Sequence, residues 1–335
     1  MNIPQSKVDA INEMIDAAKG AETSSDFFLS SIHYKDALAL ARSAGDSFLI
    51  KECKKKVIEM NKKAEDSFKK FNLEQEIPKG EIDRIVKSVV RKKISESLNI
   101  IGIHPALYSK FEEISSIAKK NQPVMLSLVS SSTISSDGHV VKGGSDTEYA
   151  WFNTIYTFSQ GFINNAYLNR IFEELEKNGL GEKILIDYLK SSRLFPEDKF
   201  GIIEKGVSGY FEKDYISSLH ILTPQFESAF LFLSEKLGID VIALNAGKDI
   251  STQMKLLSAD KLDTLEFQNI WGIDFCAQLK FVLFEQLGYN LRHKIAHGLI
   301  KSDECTVEMA RLVIYFYLVI VARIGVEEIS LNPEK

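Results

Sequence analysis

A mainly α-helical protein follows from three features of this 335-residue chain. Apolar residues make up 45% of it, with only 7 Pro and 19 Gly, and long stretches run without either breaker. Apolar positions recur at helical spacing through most of its length. β-Branched, Ser-rich sequence is concentrated in one stretch, "PVMLSLVSSSTISSDGHVVKGG", residues 123–144. The expected architecture is a multi-helix protein with a C-terminal helical bundle and one small β-hairpin near 123–142. The charged fraction of 26% is that of an ordinary globular chain, and the length suffices for one large or two modest cores.

Three regions follow in order. Residues 1–75 read as two or three amphipathic helices. Ala37, Ala41, Ala44 and Phe48 keep helical spacing, and Gly45 marks a break. The pattern resembles a helical hairpin such as a tetratricopeptide unit, but no second copy follows at a fixed period. Residues 76–145 begin with the linker-like "EIPKGE". The helix "GEIDRIVKSVVRKKISESL" comes next, ending near His104-Pro105, then the helix "PALYSKFEEISSIAKKN" and the hairpin, with Asp137-Gly138 as its turn. Asp137 and His139 suit a turn better than a metal, because no third ligand stands near.

Residues 146–330 return to helix: 148–178, 182–191, 198–212, 214–237, 265–287, about 290–300, and 305–324. Thr223-Pro224 is a helix-start signal, by hydroxyl capping and Pro in the first turn. Phe226, Ala229, Phe230, Leu233 and Leu237 form an apolar stripe that Gly238 can close. The stretch 305–324 is apolar almost all round, so it is either central to its domain or part of a subunit interface.

Composition also excludes. The net charge of −5 argues against a duplex-binding protein that works by general phosphate neutralisation. The basic run "KECKKKVIEMNKKAEDSFKK", residues 51–70, reads as a solvated helix face. Cys53, Cys276 and Cys305 show no CxxC spacing, which implies a reducing compartment and no structural zinc. The N-terminus shows no signal pattern, and the longest apolar run, 312–322, falls short of the roughly 20 residues that span a bilayer. The expectation is a cytoplasmic protein without membrane, cofactor or metal. "GGSDTE", residues 143–148, lacks the Lys-Ser/Thr pair of a phosphate loop. Trp151 and Trp271 are expected in the core.

One stretch stands apart: "YNLRHKIAHGLI", residues 289–300. Asn290 can cap its helix and Gly298 can end it. At about 100° per residue, His293 and His297 lie about 100° and 140° round from Arg292. The three share one arc, with small residues Ala296 and Gly298 beside it. Ile295 and Leu299 fall on the other side and are expected to face the core. Imidazole takes and gives protons near neutrality, and guanidinium grips phosphate oxygens with a planar fork. The pair suits attack by an RNA 2′-hydroxyl on its own phosphate, leaving a 2′,3′-cyclic phosphate, with no metal required. On the same helix face, the two His are also at metal-ligand spacing, but the Lys294 charge opposes a cation. The bland alternative is an Arg292–Glu227 pair joining two helices, with Glu227 otherwise a solvated first-turn carboxylate.

"RHKIAH" resembles the Arg–His signature of the HEPN superfamily (higher eukaryotes and prokaryotes nucleotide-binding). "NLRHKIAHGL" and "HILTPQFESAF", residues 220–230, resemble domain-of-unknown-function family 4209 within it. With 8 Arg and 6 His in the chain, a bare Arg–His spacing arises easily by chance, so the cap, the flanking helices and the following "HGL" carry the weight. The resemblance implies a HEPN-like helical core over about 213–328, usually dimeric. It implies a metal-independent endoribonuclease acting as a toxin or anti-phage effector, or else a non-catalytic nucleotide-binding, RNA-binding or scaffold module. It assigns Arg292 to the scissile phosphate, His297 to general acid–base work and Glu227 to orienting Arg292. His293 stands where the family has Asn and could serve as a second base, with Asn290 in support. Implied partners are an RNA substrate, a second copy through the C-terminal bundle, and an antitoxin or defence partner at the N-terminal helices.

Overall fold

A computed structural model describes residues 4–64, 79–122, 131–134, 140–144, 147–192, 194–246, 250–254 and 257–331. The fold is mainly α, as its composition and periodicity predict. The chain forms two compact units: residues 1–75 with 123–150, and residues 76–122 with 151–335. The stretch 76–145, read above as one region, is thus divided between them.

In the first unit, α1 (Gln5–Thr23), α2 (Phe27–Ala44) and α3 (Ser47–Ala64) pack in succession. Gly45, with φ +75°, closes α2 by donating its N–H to the last carbonyls, those of Ala41 and Arg42, the break expected there. Ala18, Tyr34, Val57 and Met60 build a small core, and Ser31 donates to Asn61 within it at 2.5 Å. In the described part of the basic run, Lys51, Lys54, Lys55, Lys62 and Lys63 on α3 are exposed. Strands β1 (Ser131–Ile134) and β2 (Val140–Gly144) pair antiparallel, with a register shift between Thr133 and Ile134. Asp137, Gly138 and His139 lie outside the described residues.

The second unit holds α4 (Lys79–Val89), α5 (Ile94–Ile103), α6 (Phe111–Lys120), most of α7 (Thr147–Phe162), α8 (Asn169–Lys177), α9 (Glu182–Ser191), α10 (Glu197–Phe211) and α11 (Tyr215–Lys236). Then follow α12 (Ala259–Leu262), α13 (Leu265–Trp271), α14 (Ile273–Leu283), α15 (Leu291–Ala296) and α16 (Val307–Leu331). A π-helical turn, Ile163–Leu168, joins α7 to α8. A second antiparallel pair, β3 (Ile242–Ala246) with β4 (Ile250–Met254), was not expected. Its signal was a short apolar run ahead of Asn-Ala-Gly-Lys-Asp, too brief to tell from a helix end.

The organising element is α16. Residues 312–320 are at most 1% exposed within the single chain. Its apolar character is therefore explained by burial in its own unit, and offers no argument for a subunit interface. Three buried polar side chains on it are answered: Tyr315 donates to the Leu107 carbonyl at 3.1 Å, Tyr317 to the Leu222 carbonyl at 2.8 Å, and Arg311 to Glu176 and Tyr210. Helix α5 crosses it at Gly102, where a Cβ would stand 2.4 Å from the Leu318 carbonyl oxygen. We expect Gly102→Ala to destabilise the unit by about 2 kcal/mol through overpacking. An unchanged midpoint in chemical denaturation would mean the two helices part freely.

Four helix expectations need correction. The helix read from Pro105 to Asn121 begins as a 3-10 turn, Pro105–Leu107, and is α-helical only from Phe111. The helix read over 80–98 is two, because the Arg91 guanidinium folds back onto the carbonyls of Lys87, Ser88 and Val90 and caps α4, while Ser97 accepts the Arg91 N–H. The helix read over 265–287 breaks at Gly272, whose φ of +82° ends α13. Helix α11 matches the stretch read as 214–237, so the start signal at Thr223-Pro224 is not used. Asp214 caps the helix by accepting the Ser217 N–H at 3.0 Å, and Pro224 sits inside the helix. Its C-terminus is as expected: Gly238, φ +92°, donates to Glu235 while Ile239 reaches back to Ser234.

Candidate active site

Helix α15 is short because both ends are set locally. Asn290 enters in the left-handed region, φ +50°, which Asn tolerates better than most residues. It does not cap with its side chain as expected. A left-handed backbone turns the side chain away from the first-turn N–H groups, and its Oδ1 is buried with no partner among the described residues. Gly298, φ +65°, ends the helix: it donates to Ile295 while Leu299 donates to Lys294 at 2.7 Å. The chain leaves the helix there, so the helical wheel no longer applies to Leu299. It is 54% exposed rather than facing the core. Ile295, still helical, packs on the core as expected.

The arc of Arg292, His293 and His297 is formed. The two imidazole rings are exposed and touch, with centroids 4.4 Å apart and planes inclined at 53°. Partial burial, then the nearby His297 and Arg292, hold the His293 pKa below the usual imidazole range. The shift favours the neutral imidazole, the form that can accept a proton.

Glu227 lies 65 residues away in sequence, midway along α11, and is 8% exposed. It is not the solvated first-turn carboxylate of the bland reading. One oxygen accepts from Arg292 Nε at 3.0 Å. The other accepts the Leu257 N–H, just past β4, at 3.1 Å. Glu227 thus clamps three segments and orients the guanidinium through Nε. Among the described residues, the terminal Nη groups of Arg292 carry no hydrogen bond. They can bind a phosphate. Next door, Lys294 pairs with Glu304, whose second oxygen accepts the Lys301 N–H at 2.9 Å. The sequence carries no signal for this pair, since Glu304 lies beyond the Gly298 turn from Lys294.

A second juxtaposition is visible only in space. Ser88 Oγ lies 3.0 Å from His104 Nε2, the spacing of a nucleophile and its base. Its polarity is wrong. His104 Nδ1 accepts the Ala106 N–H at 3.3 Å, so the neutral ring carries its proton on Nε2 and donates to Ser88. The Ser88 hydroxyl in turn donates to the Ile85 carbonyl. The pair pins α4 to the turn after α5 and activates nothing.

Among the described residues, no group of three His, Cys, Asp or Glu side chains could hold a metal, and no helix is long and apolar enough to cross a membrane. No family model, curated protein or solved structure matches this chain.

Proposed function

We propose that the second unit is a metal-independent endoribonuclease that cuts RNA by attack of a 2′-hydroxyl on the adjacent phosphodiester. One observation carries the reading: two exposed imidazoles stand beside an Arg292 whose guanidinium is anchored by the buried Glu227. In the proposed reaction a neutral imidazole takes the 2′ proton. The O2′–P bond forms as the P–O5′ bond breaks, and the departing 5′ oxygen receives a proton. Arg292 stabilises the crowded phosphorane. The products are a 2′,3′-cyclic phosphate and a 5′-hydroxyl.

The reading extends to a homodimer that apposes two α15 helices, and to a role as a toxin or anti-phage effector. It also makes α1–α3 a docking arm for an antitoxin or defence partner, for which the exposed Phe28, Leu29 and Ile32 on α2 are suited. The direct test is incubation of the purified chain with RNA in EDTA, followed by analysis of the new ends. Cyclic phosphate ends are expected. Cleavage only with added metal, or 3′-hydroxyl ends, would refute the mechanism.

A non-catalytic RNA-binding or scaffold module is the second reading. The clamp of Arg292, Glu227 and Leu257 favours it, because it is complete without a substrate. That reading expects no turnover, but RNA binding that Arg292→Ala weakens.

A further inference from the structure

We propose that His293 and His297 form a two-imidazole chelate for a borderline transition-metal cation, Cu2+ or Ni2+. The residues are one helical turn apart, both exposed, with ring centroids 4.4 Å apart. A metal–nitrogen bond of about 2.1 Å puts each ring centroid roughly 3.2 Å from the ion, so a right angle at the metal needs centroids roughly 4.5 Å apart. The ring centroids already stand at about that separation.

The sequence argument against a cation was the charge of Lys294. The structure answers it, because both flanking cations are paired: Lys294 with Glu304, and Arg292 with Glu227 at 3.0 Å. Neutral imidazoles suit copper and nickel, whereas magnesium and calcium want oxygen ligands. With no third ligand placed among the described residues, the remaining positions go to water. The result is a reversible site whose occupancy ties up both imidazoles. It does not depend on the ribonuclease reading, since binding is measured on the protein alone.

The test is isothermal titration of the full-length chain with NiCl2 and, separately, MgCl2. One nickel site is expected, with no magnesium heat. Loss of an outer-sphere partner alone weakens metal sites 10–100-fold, so His293→Ala and His297→Ala should each weaken nickel roughly tenfold or more. Undiminished affinity in both variants, or equal affinity for magnesium, would overturn the site. Circular dichroism checks that the variants are folded. Cu2+ electron paramagnetic resonance gives an independent readout on the wild type: coupling to two imidazole nitrogens is expected, and coupling to one or none refutes the chelate.

Discussion

Replacing His297 by alanine is expected to lower RNA cleavage about 10²–10⁴-fold, the usual worth of a positioned general acid or base. The fold should survive, because the side chain is exposed and its backbone N–H still donates to the His293 carbonyl at 3.1 Å. Loss of activity with an unchanged denaturation midpoint assigns the effect to chemistry. His293 makes the experiment more informative. Burial, His297 and Arg292 all disfavour its protonated form, so it loses its proton at lower pH than an ordinary imidazole. In His297→Ala, burial and Arg292 still act on His293, so if His293 serves as the residual base the remaining cleavage should rise with pH through a limb below the ordinary imidazole range. Adding His293→Asn should then abolish that limb. Full cleavage by His297→Ala would remove the histidine from the mechanism.

Glu227→Ala is expected to destabilise the second unit by about 3 kcal/mol. It leaves the Leu257 N–H without an acceptor and Arg292 without its counter-charge. The Arg292 side chain is 27% exposed, so water screens part of that charge and the loss stays below that of a fully buried pair. Glu227→Gln, which keeps a neutral acceptor for Leu257, should cost about 1 kcal/mol. The double variant Glu227→Ala/Arg292→Ala should lose less than the two single changes added together, because it leaves no orphaned charge. Additive losses would show that the residues do not act as a pair. Cleavage separates the readings further: the nuclease reading expects Arg292→Lys, which keeps the charge but not the planar fork, to impair turnover even where stability is retained.

Helix class was legible because period and punctuation are local. Gly45, Gly238 and Gly298 all end helices at positive φ, as their places after apolar periodic runs indicate. The joint arc of Arg292, His293 and His297 was readable for the same reason, since helical spacing alone puts them together. Other local signals misled where a distant or flexible group overrode them. Pro224 reads as a helix start, yet Asp214 caps earlier and α11 runs through the proline. Asn290 reads as a side-chain cap, yet its left-handed backbone prevents that. Arg91 reads as one more helical residue, yet its own guanidinium closes α4.

Sequence by itself determined that this chain is mainly helical, where most of its helices lie, and that one short helix presents an arginine and two histidines on one arc. Tertiary structure alone decided what surrounds that arc. It turned Glu227 inward to meet Arg292 across 65 residues, set Glu304 against Lys294, exposed Leu299, and sank α16 into its own unit. Those pairings depend on how α11, α15 and the turn beyond Gly298 pack. Helical periodicity orders neighbours within about two turns and carries no information on which distant carboxylate arrives beside a given cation.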